Sequence, residues 1–121
     1  MSKLALRISQ QARSDIVDIL RYSETRFGEH ARRRYQHLLQ ATLRAITQNP
    51  ERVGSMARDE LAPGLRSLHL FHCRSAVAGA KSLRPRHMIF YRSGPDEIIE
   101  IVRILHDGME LALHLPPTLT P

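Results

Sequence analysis

The stretch Ile98-Ile99-Glu100-Ile101-Val102-Arg103-Ile104-Leu105 is apolar at all but two positions, so an extended chain there is hydrophobic on both faces. A strand with one face in water alternates apolar and polar residues, whereas a run like this one belongs inside a sheet, with other structure laid over it. Two shorter runs precede it, Leu65 to Phe71 and Arg86 to Arg92, β-branched or alternating. Turn-forming residues, Gly79 and Ser93-Gly94-Pro95-Asp96, separate the runs, which predicts three antiparallel strands in series.

The cover for the central strand is written earlier in the chain. From Gln10 to Phe27 the apolar positions Ala12, Ile16, Ile19, Leu20 and Phe27 recur at helical spacing, after a capping Ser9 and before a Gly28 able to close the helix. A second helix, about Glu29 to Gln48, stacks Ala31, Tyr35, Leu38, Leu39, Thr42 and Ile46 on one face and ends at Asn49-Pro50. So short a turn makes the pair an antiparallel hairpin. Lys3 to Ile8 alternates loosely and reads as a strand entering the first helix, and Glu51 to Gly64 lacks a period and reads as a loop. Met109 to Leu115 reads as a final helical turn before Pro116-Pro117.

The expected fold class is therefore α+β: an N-terminal strand, a helical hairpin, then a three-stranded antiparallel run, with the helices on one face of a mainly antiparallel sheet and a short C-terminal helix. On this reading the other sheet face stays available. The 121 residues make one domain, ordered over about residues 4–115 with a frayed tail at 116–121.

The 16 Arg, 2 Lys and 12 acidic residues leave a net charge of +6, which calls for an anionic partner or site. The excess sits early, since residues 1–50 carry nine basic and four acidic residues, a net of +5. Cys73 is the only cysteine, so no internal disulfide is possible, and a reducing cytoplasm fits best. The sequence contains no apolar run long enough to span a membrane.

Several clusters are candidates for chemistry. His69, His72 and Cys73 are zinc-ligand types, but in a strand His69 and Cys73 point to one face and His72 to the other, so ordinary strand side chains are the favoured reading. His106-Asp107 has the residue types of an acid–base pair, without a nearby nucleophile; the favoured reading is an Asp at a helix entry beside a part-exposed His. Arg32-Arg33-Arg34 has the charge for contact with nucleic acid, but three successive residues fan around a helix and a solvated face is the favoured reading, while strands can gather Arg66, Arg86, Arg92 and Arg103 on the uncovered side of the sheet.

The order of elements and particular residues resemble the RelE/ParE toxin superfamily of bacterial toxin–antitoxin pairs. The carrying motifs are Ser9-Gln10-Gln11-Ala12 into Asp15-Ile16-Ile19, Phe27-Gly28, Asn49-Pro50, Gly64-Leu65-Arg66, Ile89-Phe90-Tyr91-Arg92, and Ile101-Val102-Arg103-Ile104-Leu105-His106-Asp107-Gly108-Met109. The resemblance runs from about Leu4 to Leu115, and the closing Arg-Ile-Leu-His-x-x-Met after Phe-Tyr-Arg is similar to the ParE branch in particular. The segment from Cys73 to Pro85 is longer than that pattern and reads as an extended hairpin or a mobile loop.

The resemblance implies a toxin that inhibits DNA gyrase by binding, needs no cofactor or metal, meets nucleic acid indirectly through gyrase, and is neutralised by a ParD-like antitoxin with an acidic, amphipathic tail. The expected target contacts are Arg103, His106, Met109 and Leu111, at the corner where the last strand ends; the expected antitoxin contacts are Val17 and Tyr22, which flank the apolar stripes of the hairpin, and Arg66. The alternative is a RelE-like, ribosome-dependent, metal-independent mRNA endonuclease using Arg86, Arg92, Arg103 and His106. Aligned with that branch, an expected Arg falls on Met88 and a basic stretch becomes His106-Asp107-Gly108, which favours the gyrase reading.

Overall fold

The computed structural model describes residues 4–109 and Leu115. Strand β1 (Ala5–Ile8) leads into helices α1 (Gln10–Phe27) and α2 (Glu29–Gln48). Strands β2 (Met56–Ala57) and β3 (Arg66–His69), a 3-10 helix (Leu70–Ala76), β4 (His87–Ser93) and β5 (Ile98–His106) follow. The strands form one sheet in the order β1-β5-β4-β3-β2, in which only the β1–β5 pair is parallel.

Local chemistry sets the helix bounds. Ser9 Oγ accepts the Ala12 N–H at 3.0 Å and donates to the Val102 carbonyl at 2.8 Å, so one hydroxyl caps α1 and ties it to the middle of β5. Gly28 breaks the two helices apart at φ +93°, a backbone angle that a side chain disfavours. α2 stops at Asn49, whose Oδ1 accepts the Glu51 N–H at 3.1 Å, just before and after Pro50.

β5 carries an irregularity. Phe90 opposes Arg103 but Tyr91 opposes Ile101, which leaves Val102 inserted between them. The extra residue re-aims the strand, so Ile99, Ile101 and Ile104 all join the core under the helices while Val102 and Leu105 join a second apolar cluster. The first core contains Leu38, Ile46, Leu68, Ile89 and Tyr91 as well, each fully buried. Cutting any of its large aliphatic residues to Ala costs about 2–5 kcal/mol.

Four expectations need correction. The sheet face away from the helices is not open: Ala62, Leu65 and Leu115 cover Phe90, Val102 and Leu105 there, and the Arg58 guanidinium lies 5.5 Å from the Phe90 ring centre. The strand expected to run to Phe71 ends at His69, because His69 Nδ1 accepts the Phe71 N–H at 3.1 Å and starts a 3-10 turn that buries Leu70 and Cys73. Cys73 to Pro85 is therefore not a hairpin: it continues the 3-10 helix to Ala76 and then runs through turns. Arg74 lies 3.8 Å from the Phe71 ring centre and donates to the carbonyls of Lys81 and Leu83 at 2.9 and 3.1 Å, binding the segment into one turn. The loop expected at Glu51 to Gly64 holds the short strand β2. The final helical turn expected from Met109 to Leu115, and the tail, lie outside the described residues apart from Met109 and Leu115 themselves.

Candidate functional site

β4 begins and β5 ends at the same end of the sheet, so His87 and His106 are register partners. Their rings meet edge to face at 5.5 Å. Tyr35 reaches across from α2, with its hydroxyl 2.6 Å from His87 Nδ1 and 3.3 Å from the Arg86 N–H that it accepts. Burial pushes the Tyr35 phenol up to about 12 and, with the neighbouring His106 adding to the effect, pulls the His87 imidazole down to about 4. At neutral pH the phenol therefore donates to a neutral imidazole, which leaves the His87 proton on Nε2.

Beside this pair, Asp107 collects cations and donors. Its Oδ2 lies 2.9 Å from His69 Nε2 and its Oδ1 accepts from Arg86 Nε at 2.9 Å. Burial works to raise its pKa, but the bonds from His69 and Arg86 outweigh that and hold the carboxyl below its usual range. The backbone fixes the rings: Phe71 N–H donates to His69 Nδ1, and Gly108 N–H donates to His106 Nδ1 at 3.0 Å. In the neutral form His106 therefore presents Nε2–H.

His106, His87 and Tyr35 form one wall of a cavity of about 560 Å³ at the turn end of the helical hairpin. Ile19, Tyr22, Phe27, Ala31 and Leu83 give it an apolar lining, and Arg34, Arg84 and Arg86 stand at its margin. Tyr22 and Phe27 are 62% and 68% exposed and contact edge to face at 6.5 Å, an unusual pair of aromatic rings left in water. The arrangement suits an apolar side chain held beside an anionic group. Among the described residues no three His, Cys, Asp or Glu side chains are placed to hold a metal ion.

The residues singled out from sequence divide. Arg86 and His106 share the cavity with Tyr22, so a residue read as a target contact and one read as an antitoxin contact face the same hollow. Val17 is exposed on the same helix. Arg66 lies apart from them: it opposes Tyr91, donates to Ser55 Oγ at 2.7 Å, and its buried Nε has no hydrogen-bond partner among the described residues. Arg92 sits at the opposite end of the sheet against Glu100 at 2.8 Å. Arg103 is held by Asp15 of α1 at 2.8 and 2.9 Å. Met109 is exposed near His106, and Leu111 lies outside the described residues. Sequence reasoning did not single out His87; it placed Phe27 in the apolar stripe of α1 and Arg34 on a solvated face. The alternation of β4 would have aimed His87 at the helices, but Tyr35 lies 52 residues away, with no local mark of the pairing.

Residues 6–111 match the family model described as the ParE toxin of the type II toxin–antitoxin system parDE. The chain is 36% identical over 109 residues to Toxin ParE1 of Caulobacter vibrioides, covering 90% of this chain and 95% of that protein. Its fold is similar to a solved structure titled the chromosomal ParDE TA system from P. aeruginosa, with a TM-score of 0.62, 16% identity, and coverage of 86% of this chain and 96% of that one. Sequence match over nearly the full length and shared architecture agree, and the chain belongs to the ParE family of type II toxin–antitoxin toxins.

Proposed function

We propose that this ParE-type toxin inhibits DNA gyrase in the cytoplasm by binding it, and that a cognate ParD-like antitoxin neutralises it. The observation that carries the reading is the dispersal of the cations an RNase would need. Arg92 is paired with Glu100 and Arg103 with Asp15, on different parts of the sheet, while only Arg86 and His106 share a cavity. Cleavage of a phosphodiester requires such groups to converge on one developing charge. Among the described residues, no helix is long and apolar enough to cross a membrane.

The antitoxin, on this reading, lays an acidic amphipathic tail along the hairpin, with Val17 and Tyr22 as anchors and Arg66 as a more distant contact. Exposed aromatic rings beside arginines suit such a tail, since apolar anchors set the lifetime and charge speeds encounter. The corner formed by Arg103, His106, Met109 and Leu111 meets gyrase. No cofactor takes part.

One observation favours the second reading, a ribosome-dependent mRNA endonuclease: Asp107 holds Arg86 and His69 together, and Arg86 and His106 line the same cavity. Two assays separate the readings. Inhibition of supercoiling with accumulation of cleaved DNA–gyrase complex supports the first, and mRNA cleavage at ribosomal A-site codons with unaffected gyrase replaces it with the second.

A further inference from the structure

The outward face of α2 carries a charge pattern of which the core uses nothing and the cavity borders only Arg34. His30, Arg33, Arg34, His37, Gln40 and Arg44 are all exposed. At about 100° per residue they fall within an arc of about 120° that also holds the buried Ala41 and lies opposite the buried Leu39 and Ile46. From His30 to Arg44 the stripe runs about 21 Å at 1.5 Å per residue, close to the length of six base pairs of duplex. Glu29 is the only acidic residue on the helix, and it pairs with Arg33 at 2.8 Å. Among the described residues Arg34 and Arg44 make no ion pair. The stripe is continued sideways by the turn after the 3-10 helix, because the Arg34 side chain lies beside Gly79 and both Arg34 and Arg84 border the cavity.

We propose that this face of α2 binds the phosphate backbone of duplex DNA directly. A protein partner is held by buried apolar anchors, and the stripe offers none; the exposed aromatic pair Tyr22 and Phe27 lies on α1. A row of cations and neutral donors repeating every three or four residues, with one carboxylate, matches instead a ligand of regularly spaced negative charge. Such contacts position a protein on DNA without reading sequence, so the binding is sequence-independent and strongly salt-dependent. The identification of that duplex as the one gyrase holds rests on the gyrase reading above, whereas the contact itself does not.

The test is fluorescence anisotropy of a labelled mixed-sequence duplex of about 20 base pairs with the full chain, between about 50 and 200 mM salt. The variant Arg33→Gln, Arg34→Gln, Arg44→Gln is expected to lower the slope of log affinity against log salt by about 2 to 3. A control of equal charge change, Arg7→Gln, Arg21→Gln, Arg26→Gln on β1 and α1, is expected to leave most of the slope in place. Arg44→Gln alone, expected to lower it by about 1, keeps the test decisive if the triple variant does not fold. Absence of duplex binding by the unaltered chain overturns the proposal, as does an equal drop in the control, which would mean diffuse attraction by net charge. Binding of polyglutamate at the stripe with no binding of duplex overturns it in favour of an acidic protein partner. Supercoiling by gyrase is read in parallel without labelled duplex: failure of the chain to inhibit it removes the gyrase reading and leaves the DNA contact standing.

Discussion

Asp15 on α1 and Arg103 on β5 form a two-pronged ion pair, Nε and Nη2 at 2.8 and 2.9 Å from the two carboxylate oxygens, and Asp15 also accepts the Ile104 N–H at 2.9 Å. The helix thereby supplies, through a side chain, the acceptor that β1 would have supplied had it continued past Ile8. Both side chains are less than a fifth exposed. Asp15→Ala leaves a largely buried guanidinium and a strand N–H without this acceptor, and is expected to cost about 3 kcal/mol. Asp15→Asn, which retains an acceptor oxygen, is expected to cost less. Urea unfolding measures both. Equal stability of Asp15→Ala and the parent would contradict the role given to this pair, and loss of toxicity on changing Arg103 reports on target contact only if the urea midpoint is unchanged.

Stability should fall in mild acid because of His87. Its folded-state value of about 4 lies below the ordinary 6.5, so between these values the unfolded chain binds a proton that the folded chain refuses. The loss begins as pH falls through about 6.5, grows to about 2–3 kcal/mol, and levels off below about 4. Asp107 acts in a lower window: its carboxyl is held below the usual 3.8, so its contribution is lost only as pH drops beneath that. Urea midpoints from pH 7 to 4 should show the slope in the parent and a flatter profile in His87→Gln. An unchanged slope in that variant would place the titrating group elsewhere.

Gly54 has φ +99°, and a Cβ there would lie 2.8 Å from the His72 ring. Gly54→Ala is expected to destabilise by about 1–3 kcal/mol, from backbone strain plus the collision. Adding His72→Ala removes the collision and not the strain, so the double variant should recover only part of the loss. Full recovery in thermal melts would show that the backbone tolerates the angle.

The two binding surfaces are tested together. Tyr22→Ala should weaken antitoxin binding tenfold or more, about 1.4 kcal/mol, with no change in the melting point of the free toxin, because the ring is mostly in water. His106→Ala with Met109→Ala should relieve growth arrest and keep antitoxin co-purification. Since Tyr22 and His106 line the same cavity, loss of the antitoxin in that double variant would show instead that both partners claim it.

Both helices were legible to the residue because what bounds them is local: a capping serine, a glycine at positive φ, an Asn-Pro stop. The central strand was legible from its doubly apolar run, but not the insertion of Val102, which depends on pairing with β4. Nor was the cover over Phe90, since a loop around Leu65 and the distant Leu115 supply it. The 3-10 turn after His69 follows from a ring accepting a backbone bond, which alternating hydrophobicity does not encode. At the site, Arg86 and His106 could be picked out as polar residues at strand ends. Tyr35 could not, because its place in an apolar stripe conceals a hydroxyl that ends on His87.

The parallel pairing of β1 with β5 joins parts of the chain that a ribosome makes far apart in time: Ser9 and Val102, bonded side chain to carbonyl, are separated by 93 positions. The two helices can form contacts with each other early in synthesis, yet the strand they must cover is not made until Ile98–His106 is translated. Pairings of such long range also slow the final closure. A message cut short before codon 98 yields a hairpin with no central strand beneath it, its apolar face exposed to proteolysis and aggregation. Folding of this toxin is accordingly coupled to the integrity of its own transcript, and a broken message produces debris rather than a partly armed protein.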